Sequence, residues 1–336
     1  VTTISLWFLS QDEVRAVAPT AVSVLATVEA GLRAHGEGAV ELPPKIHLDL
    51  ESRFRGHFNI LPGYVEPART AGVKIVGDYV ENYRHDLPSE VGLLILYYGE
   101  TGVPFAIMDA THLTALRTGA VTGIGAKYLA RPDSAIVGHL GARGSARYNL
   151  EALCALFPVT EVRITSKRRE SYEPFAREME RTLGVRVRPT ADPREVVEGA
   201  DIVVEATRLT MPEVLIREAW LKPGALLVSY GWVMALEPSL PFKVDKLVVD
   251  DWRQCKKGGQ LFPLIERGEL RDEHVHAEIG QVVTGARSGR TSGTERVLFW
   301  HRGFAISDIV VGAWVFEQAR ARGLGRELLL CETGAV

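Results

Sequence analysis

The pattern of apolar and polar positions changes character near residue 132. From Ser10 to about His35, apolar residues recur at helical spacing: Val14, Val17, Ala21, Val24, Leu25, Val28 and Leu32. This predicts an amphipathic helix with Ser10 as N-cap and Glu13 closing a capping box. Strand-like strings follow: KIHLDL, HFNILPGYV, GVKIVGDYV, VGLLILYYG and PFAIMDA, with Pro, Gly and acids in the turns. They predict an α+β domain with a largely antiparallel sheet. A helical run from Leu113 leads to Leu129, and Arg131-Pro132-Asp133 ends it.

Beyond Pro132, strands and helices alternate. SAIVGHLG, EVRITS, VRVRPT, DIVVEAT and ALLVSYG read as strands, and KLVVDD precedes another helical stretch. Between them lie the helical strings SARYNLEALCALF, SYEPFAREMERTLG, PREVVEGA and IREAWL. Such alternation implies a parallel, doubly wound sheet. After His301 a last long helix is predicted from Ile306 to Arg322, with Ala305, Ile309, Ala313 and Phe316 on one face.

Composition narrows the class without naming a function. The 336 residues are 46% hydrophobic and 24% charged, with net charge −3. That leaves room for two cores and gives no global argument for nucleic acid or an anionic membrane. No apolar run is long enough to span a bilayer, and the apolar N-terminal patch lacks a basic flank, so neither a membrane anchor nor a signal peptide is expected. Cys154, Cys255 and Cys331 are few and far apart, which suits a cytoplasmic setting. His57, His85, His139 and His301 are scattered without metal-ligand spacing, so no metal site is expected. Asp250-Asp251 ends a strand, where a turn or cap is the expected role.

The chemistry concentrates in IVGHLGARGSARYNLEAL, Ile136 to Leu153: a strand, a glycine turn and a helix start. Here a doubly wound domain holds a dinucleotide pyrophosphate on helix-terminal N–H groups. Gly141 and Ala146 fit the first and third positions of G-x-G-x-x-G/A, but Arg143 stands at the second. The arginine either blocks the close approach of pyrophosphate or adds a cation to it. The next strand ends Thr165-Ser166-Lys167-Arg168-Arg169 with no carboxylate to read a ribose hydroxyl. A hydroxyl followed by cations suits a 2′-phosphate, the alternative being a solvated basic turn, and NADP(H) is expected in preference to NAD(H). In the first half, Lys74 lies within an apolar strand, Arg117 follows LTAL, and Lys45 stands at a strand start. Three cations from separate elements would form an anion site for a carboxylate ligand.

Taken together, PPKIHLDL, AGVKIVGDYVEN, TGVPFAIMDATHLTALRTGA, AKYLARPDSAIVGHLGARGSA, ADIVVEAT, LVVDD and RTSGTERVLFWHRGFAISDIV resemble the ornithine cyclodeaminase/mu-crystallin family, in particular its archaeal-type alanine dehydrogenase branch. The resemblance runs from about residue 7 to residue 327. It implies a Rossmann dinucleotide-binding domain (119–305) inserted into a discontinuous α+β domain (1–118 with 306–336) that binds substrate and forms a homodimer. It implies activity on amino acids or cyclic imines with NAD(H) or NADP(H). By position, Lys45, Lys74, Arg117 and Asp308 would bind substrate, with Lys74 and Arg117 catalytic. The cofactor set would be Thr118, Gly141, Arg143, Gly144, Ser145, Ala146, Ser166, Lys167, Arg168 and Thr207.

Two departures qualify this. The family turn G-x-G-x-Q-A is GARGSA here, with Arg143 for Gly and Ser145 for Gln. Where cyclodeaminases have Gly-Ala-Asp, this chain has Gly231-Trp232-Val233, and Val233 has no acid–base capacity. The expectation is therefore an oxidoreductase for an α-amino or α-imino acid that does not convert ornithine to proline. The alternatives are a divergent cyclase, lyase or imine-processing enzyme, or a non-catalytic binding protein.

Overall fold

The structure, a computed structural model, describes residues 2–333. Two compact units divide the chain: residues up to Arg117 together with those from Phe304 onward, and residues 118 to 303. The fold class is mixed α/β, with one mixed and one parallel sheet.

The first unit is built on strands β1 (Thr2–Leu9), β2 (Val40–Glu41), β3 (Ile46–Asp49), β4 (Gly56–Val65), β5 (Thr70–Tyr79), β6 (Glu90–Tyr98) and β7 (Pro104–Asp109), joined by the C-terminal strand Arg326–Thr333. Their order is C-terminal strand–β1–β7–β6–β5–β4–β2, with β3 also paired to β4. All pairs are antiparallel except β1 with β7. Along β5 burial alternates: Thr70, Gly72, Lys74 and Val76 face inward, while Ile75 faces out. Lys74 therefore occupies a core position by the period-2 rule of a strand.

Helices Leu25–Gly36 and Ala305–Ala321 pack on each other, and the latter covers β4 and β5. The helix Ala305–Ala321 is buried on more than one face, from Ile306 and Ser307 to Val311 and Val315. It is accordingly apolar almost all round rather than along a single stripe.

One expected helix is broken. The run from Ser10 becomes a helix Gln11–Val17, a 3₁₀ turn Ala21–Val24 and the helix Leu25–Gly36. Ala18 precedes Pro19, which excludes it from helical ψ, and it adopts φ −126°, ψ 75°. The capping box of Ser10 and Glu13 is formed.

The second unit holds β8 (Ile136–Leu140), β9 (Glu161–Thr165), β10 (Arg186–Pro189), β11 (Ile202–Glu205), β12 (Leu226–Ser229), β13 (Lys246–Val249), β14 (Ala277–Glu278) and β15 (Val297–Trp300). All are parallel, in the order β10–β9–β8–β11–β12–β15–β13–β14. Strands β11, β12, β13 and β15 are buried at every residue, as a sheet covered on both faces requires. The chain leaves β8 toward β9 on one side and returns to β11 on the other. That reversal creates the crevice where doubly wound sheets bind ligands. The string IREAWL shortens to a 3₁₀ turn, Glu218–Trp220. Six residues cannot offset the cost of helix nucleation without a packing face. Among the described residues, no single helix is long and apolar enough to cross a membrane.

Candidate active site

In the first unit three charged side chains from distant points of the chain meet. Lys74 comes from β5, Arg117 from the helix Thr111–Leu129, and Asp308 from the first turn of Ala305–Ala321. One oxygen of Asp308, Oδ1, accepts from Lys74 Nζ at 2.8 Å and from Arg117 Nε at 2.9 Å. Lys74 Nζ also donates to Thr114 Oγ1 at 3.1 Å. Asp308 is 0%, Lys74 2% and Arg117 6% exposed, so this is a buried cluster with two cations and one anion. Burial and the neighbouring Arg117 guanidinium push the Lys74 ammonium down to about 8, against the attraction of Asp308.

Two valences in this cluster are open. Asp308 Oδ2 is buried without a hydrogen-bond partner. Arg117 commits its Nε to Asp308, and its two terminal nitrogens make no hydrogen bond or ion pair among the described residues. The net charge of +1 and the uncommitted guanidinium fork fit a bidentate carboxylate. Lys45 stands one residue before β3, partly exposed. The pairing of Ile46 with Ile60 and of Leu61 with Lys74 places Lys45 at the outer end of the cross-strand row that holds Lys74.

In the second unit the glycine turn follows β8 at the crevice. Gly141 has φ +112°, and a Cβ there would meet the Ala206 carbonyl oxygen at 2.6 Å, so only glycine fits. Gly144 has φ +59° with open space around it. Arg143 is exposed, its carbonyl accepts from Ala146 N at 3.2 Å, and its side chain makes no hydrogen bond or ion pair among the described residues. Helix Ala146–Leu156 begins directly after Ser145. The loop therefore fits a dinucleotide pyrophosphate at a helix N-terminus. At the end of β9, Lys167 and Arg168 are exposed and their side chains make no hydrogen bond or ion pair among the described residues, and Ser166 Oγ donates to the Arg168 carbonyl at 3.3 Å. Thr118 is buried on the long helix next to Arg117.

Beneath the loop lies a network that sequence reasoning passed over. His139 Nδ1 donates to the Gly141 carbonyl at 2.8 Å, so its Nε2 accepts from Asn149 Nδ2 at 2.9 Å. Burial pushes the imidazole down to about 4, which keeps it neutral and fixes this tautomer. Asn149 Nδ2 also donates to the Tyr230 hydroxyl at 2.6 Å, and that hydroxyl shares a 2.7 Å bond with Ser145 Oγ. Ser145, expected at the cofactor, is thus tied to the segment after β12. That segment continues into Trp232, 51% exposed with the Arg302 guanidinium 5.0 Å from its ring centre, and partly buried Val233.

The remaining candidates have plain roles. Asp251 caps a helix by accepting from Gln254 N at 2.8 Å. Asp250 accepts from the backbone of Asp251, Arg302 and Gly303, and burial raises its carboxyl above the ordinary range. Burial pushes the Cys154 thiol up to about 11, so it is no nucleophile near neutral pH.

The family model of the ornithine cyclodeaminase/mu-crystallin family matches residues 7–323. The chain is 33% identical over 324 residues to an alanine dehydrogenase of Archaeoglobus fulgidus, covering 95% of this chain and 97% of that one. It superimposes with TM-score 0.90 and 30% identity on the Thermococcus litoralis Δ1-pyrroline-2-carboxylate reductase in complex with NADH and L-proline, covering 96% and 99% of the two chains. An archaeal alanine dehydrogenase dimer with bound NAD superimposes with TM-score 0.90 and 31% identity, covering 98% and 100%.

Proposed function

The chain belongs to the ornithine cyclodeaminase/mu-crystallin family, and from that premise we propose that it is an oxidoreductase for an α-amino or α-imino acid, using NADP(H) in preference to NAD(H). The observation that carries this is the Arg117–Asp308–Lys74 cluster, which is buried, net positive and open at the guanidinium fork. Arg117 holds the substrate carboxylate through its terminal nitrogens, with Lys45 at the rim. Asp308 Oδ1 fixes both cations, and the open Oδ2 accepts an N–H from the substrate nitrogen. Lys74, lowered to about 8, takes or returns the proton as the nitrogen changes between amine and imine. When bound, a nicotinamide dinucleotide would supply the hydride chemistry at the α-carbon.

In the second unit Gly141, Arg143, Gly144, Ser145 and Ala146 hold the pyrophosphate, with Thr118 and Thr207 beside the dinucleotide. Ser166, Lys167 and Arg168 hold the 2′-phosphate. Val233 cannot act on a second amine, which fits simple oxidation or reduction rather than cyclisation of ornithine.

The partner copy is read from the outer face of the first sheet. Two cross-strand rows there are apolar: Ile46–Ile60–Ile75–Leu93, and Leu48–Phe58–Gly77–Val91. Ile46, Leu48, Ile75, Leu93 and Val91 are all exposed. This face fits a second copy of the chain, as does the dimeric state of the archaeal alanine dehydrogenase.

The test is a panel of L-α-amino acids with NADP⁺, and of 2-keto acids with ammonia or cyclic imino acids with NADPH, followed by nicotinamide absorbance. Turnover of at least one substrate is expected, with no proline formed from ornithine. Binding of the dinucleotide without turnover of any of them contradicts the reading. Light scattering should give a dimer, and Ile75→Lys with Leu93→Lys should give monomers.

A further inference from the structure

The second unit contains one fully buried carboxylate that the reading above does not use. Glu205 is the last residue of β11 and is 0% exposed. It pairs in register with Leu140, the residue before the glycine turn, and with Ser229 at the end of β12. It thus lies at the carboxyl ends of the strands on the side of the crevice opposite β9. A dinucleotide lying across that crevice places its adenosine half at β9 and its nicotinamide half over β11 and β12.

Every donor to this carboxylate is neutral. Oε1 accepts from the Thr207 backbone N at 2.8 Å and from Thr207 Oγ1 at 2.5 Å. Oε2 accepts from Ser229 Oγ at 2.7 Å, Gln260 Nε2 at 2.8 Å and Gly231 N at 3.2 Å. Gln260 Nε2 also bonds Ser229 Oγ. A Cβ on Gly231 would meet Glu205 Oε1 at 2.7 Å, so the segment after β12 is shaped to close on the carboxylate. A carboxylate accepts at both oxygens, and these five neutral groups supply a donor to each of them. No Lys or Arg bonds to it among the described residues. The isolated negative charge is held by dipoles in a low-dielectric interior, where its field is poorly screened.

A nicotinamide ring carries a positive charge when oxidised and none when reduced. We propose that Glu205 is a specificity-determining residue that makes the site prefer the oxidised dinucleotide over the reduced one. This rests on the dinucleotide reading above. The same network sets the hydrogen-bond polarity of Thr207: its N–H and O–H are both spent on Glu205, which leaves its hydroxyl oxygen with acceptor capacity only. Glu205 acts through charge and through Thr207 and is a positioning residue, not a catalytic one.

The experiment measures dissociation constants of NADP⁺ and NADPH by calorimetry for the unaltered protein, Glu205→Gln, Glu205→Thr and Ser229→Ala. The ratio Kd(NADP⁺)/Kd(NADPH) should rise about tenfold in both Glu205 variants, the order expected for losing one nearby unit charge at intermediate dielectric. Ser229→Ala removes a neutral donor and should change both constants together. An unchanged ratio in either folded Glu205 variant overturns the proposal while leaving the dinucleotide reading intact. If neither variant folds, the unaltered protein decides, since tighter binding of NADPH than of NADP⁺ would overturn it. Absence of binding by both dinucleotides in the unaltered protein would remove the reading on which it rests.

Discussion

The two units bury charge in opposite ways. In the first, two cations share one carboxylate oxygen, and the cluster is left at +1 with a guanidinium fork and a carboxylate oxygen open. In the second, a carboxylate is enclosed by neutral donors and left at −1. Isolated buried charges are costly, and proteins keep them where a ligand or a reaction uses them. On the function proposed above, each unit prepares one charge for a different ligand group: positive for a substrate carboxylate, negative for an oxidised nicotinamide.

The largest effect should come from the group proposed to move the proton. Lys74→Met should lower turnover by about 10²–10⁴-fold, the usual contribution of a positioned acid or base, while far-ultraviolet circular dichroism shows the fold retained. The same group sets a pH dependence. With its folded value near 8, Lys74 is neutral above that pH and protonated below it. Amine oxidation, which needs the base, should therefore rise through about pH 8. Imine reduction, which needs the acid, should fall over the same interval. Flat profiles in both directions would remove Lys74 from the proton transfer.

Next in size is Arg117→Ala, which removes the open fork and one partner of Asp308. Binding of the carboxylate substrate should weaken by about 10- to 100-fold, the range of charge-assisted hydrogen bonds, as read by KM or by direct titration. Unchanged affinity would place the carboxylate elsewhere. Smaller still should be the paired change Lys167→Ala with Arg168→Ala. It should weaken NADPH by about tenfold and leave NADH nearly unaffected, because exposed cations contribute modestly and act only on the 2′-phosphate.

These contrasts also mark what the chain made legible. Alternating strands and helices after Pro132 announced the parallel sheet, because a twofold-covered sheet needs continuous apolar strands. In the first unit Lys74 stands out as a cation within the apolar string GVKIVGDYV and Arg117 as a cation after LTAL, whereas Asp308 enters through family resemblance. Their meeting on one oxygen follows from sheet order and helix packing, which sequence spacing does not encode. Glu205 sat inside DIVVEAT as a charge in an all-buried strand, which was a readable signal, but its neutral donors come from β12 and from Gln260 far along the chain. His139 looked like one more scattered histidine, and its role under the glycine turn depends on Asn149 from the following helix. The Ser10 helix failed at Ala18-Pro19 because apolar periodicity continued across a residue whose backbone could not stay helical.

The most direct test of the account is calorimetric titration of the unaltered protein with NADPH and with NADH. The open glycine turn at Gly141 and Gly144 and the exposed cations at Lys167 and Arg168 predict saturable binding of both, with NADPH tighter by about tenfold or more. Equal affinities would contradict the role given to the basic turn. No binding of either would contradict the assignment of this protein as a dinucleotide-dependent oxidoreductase.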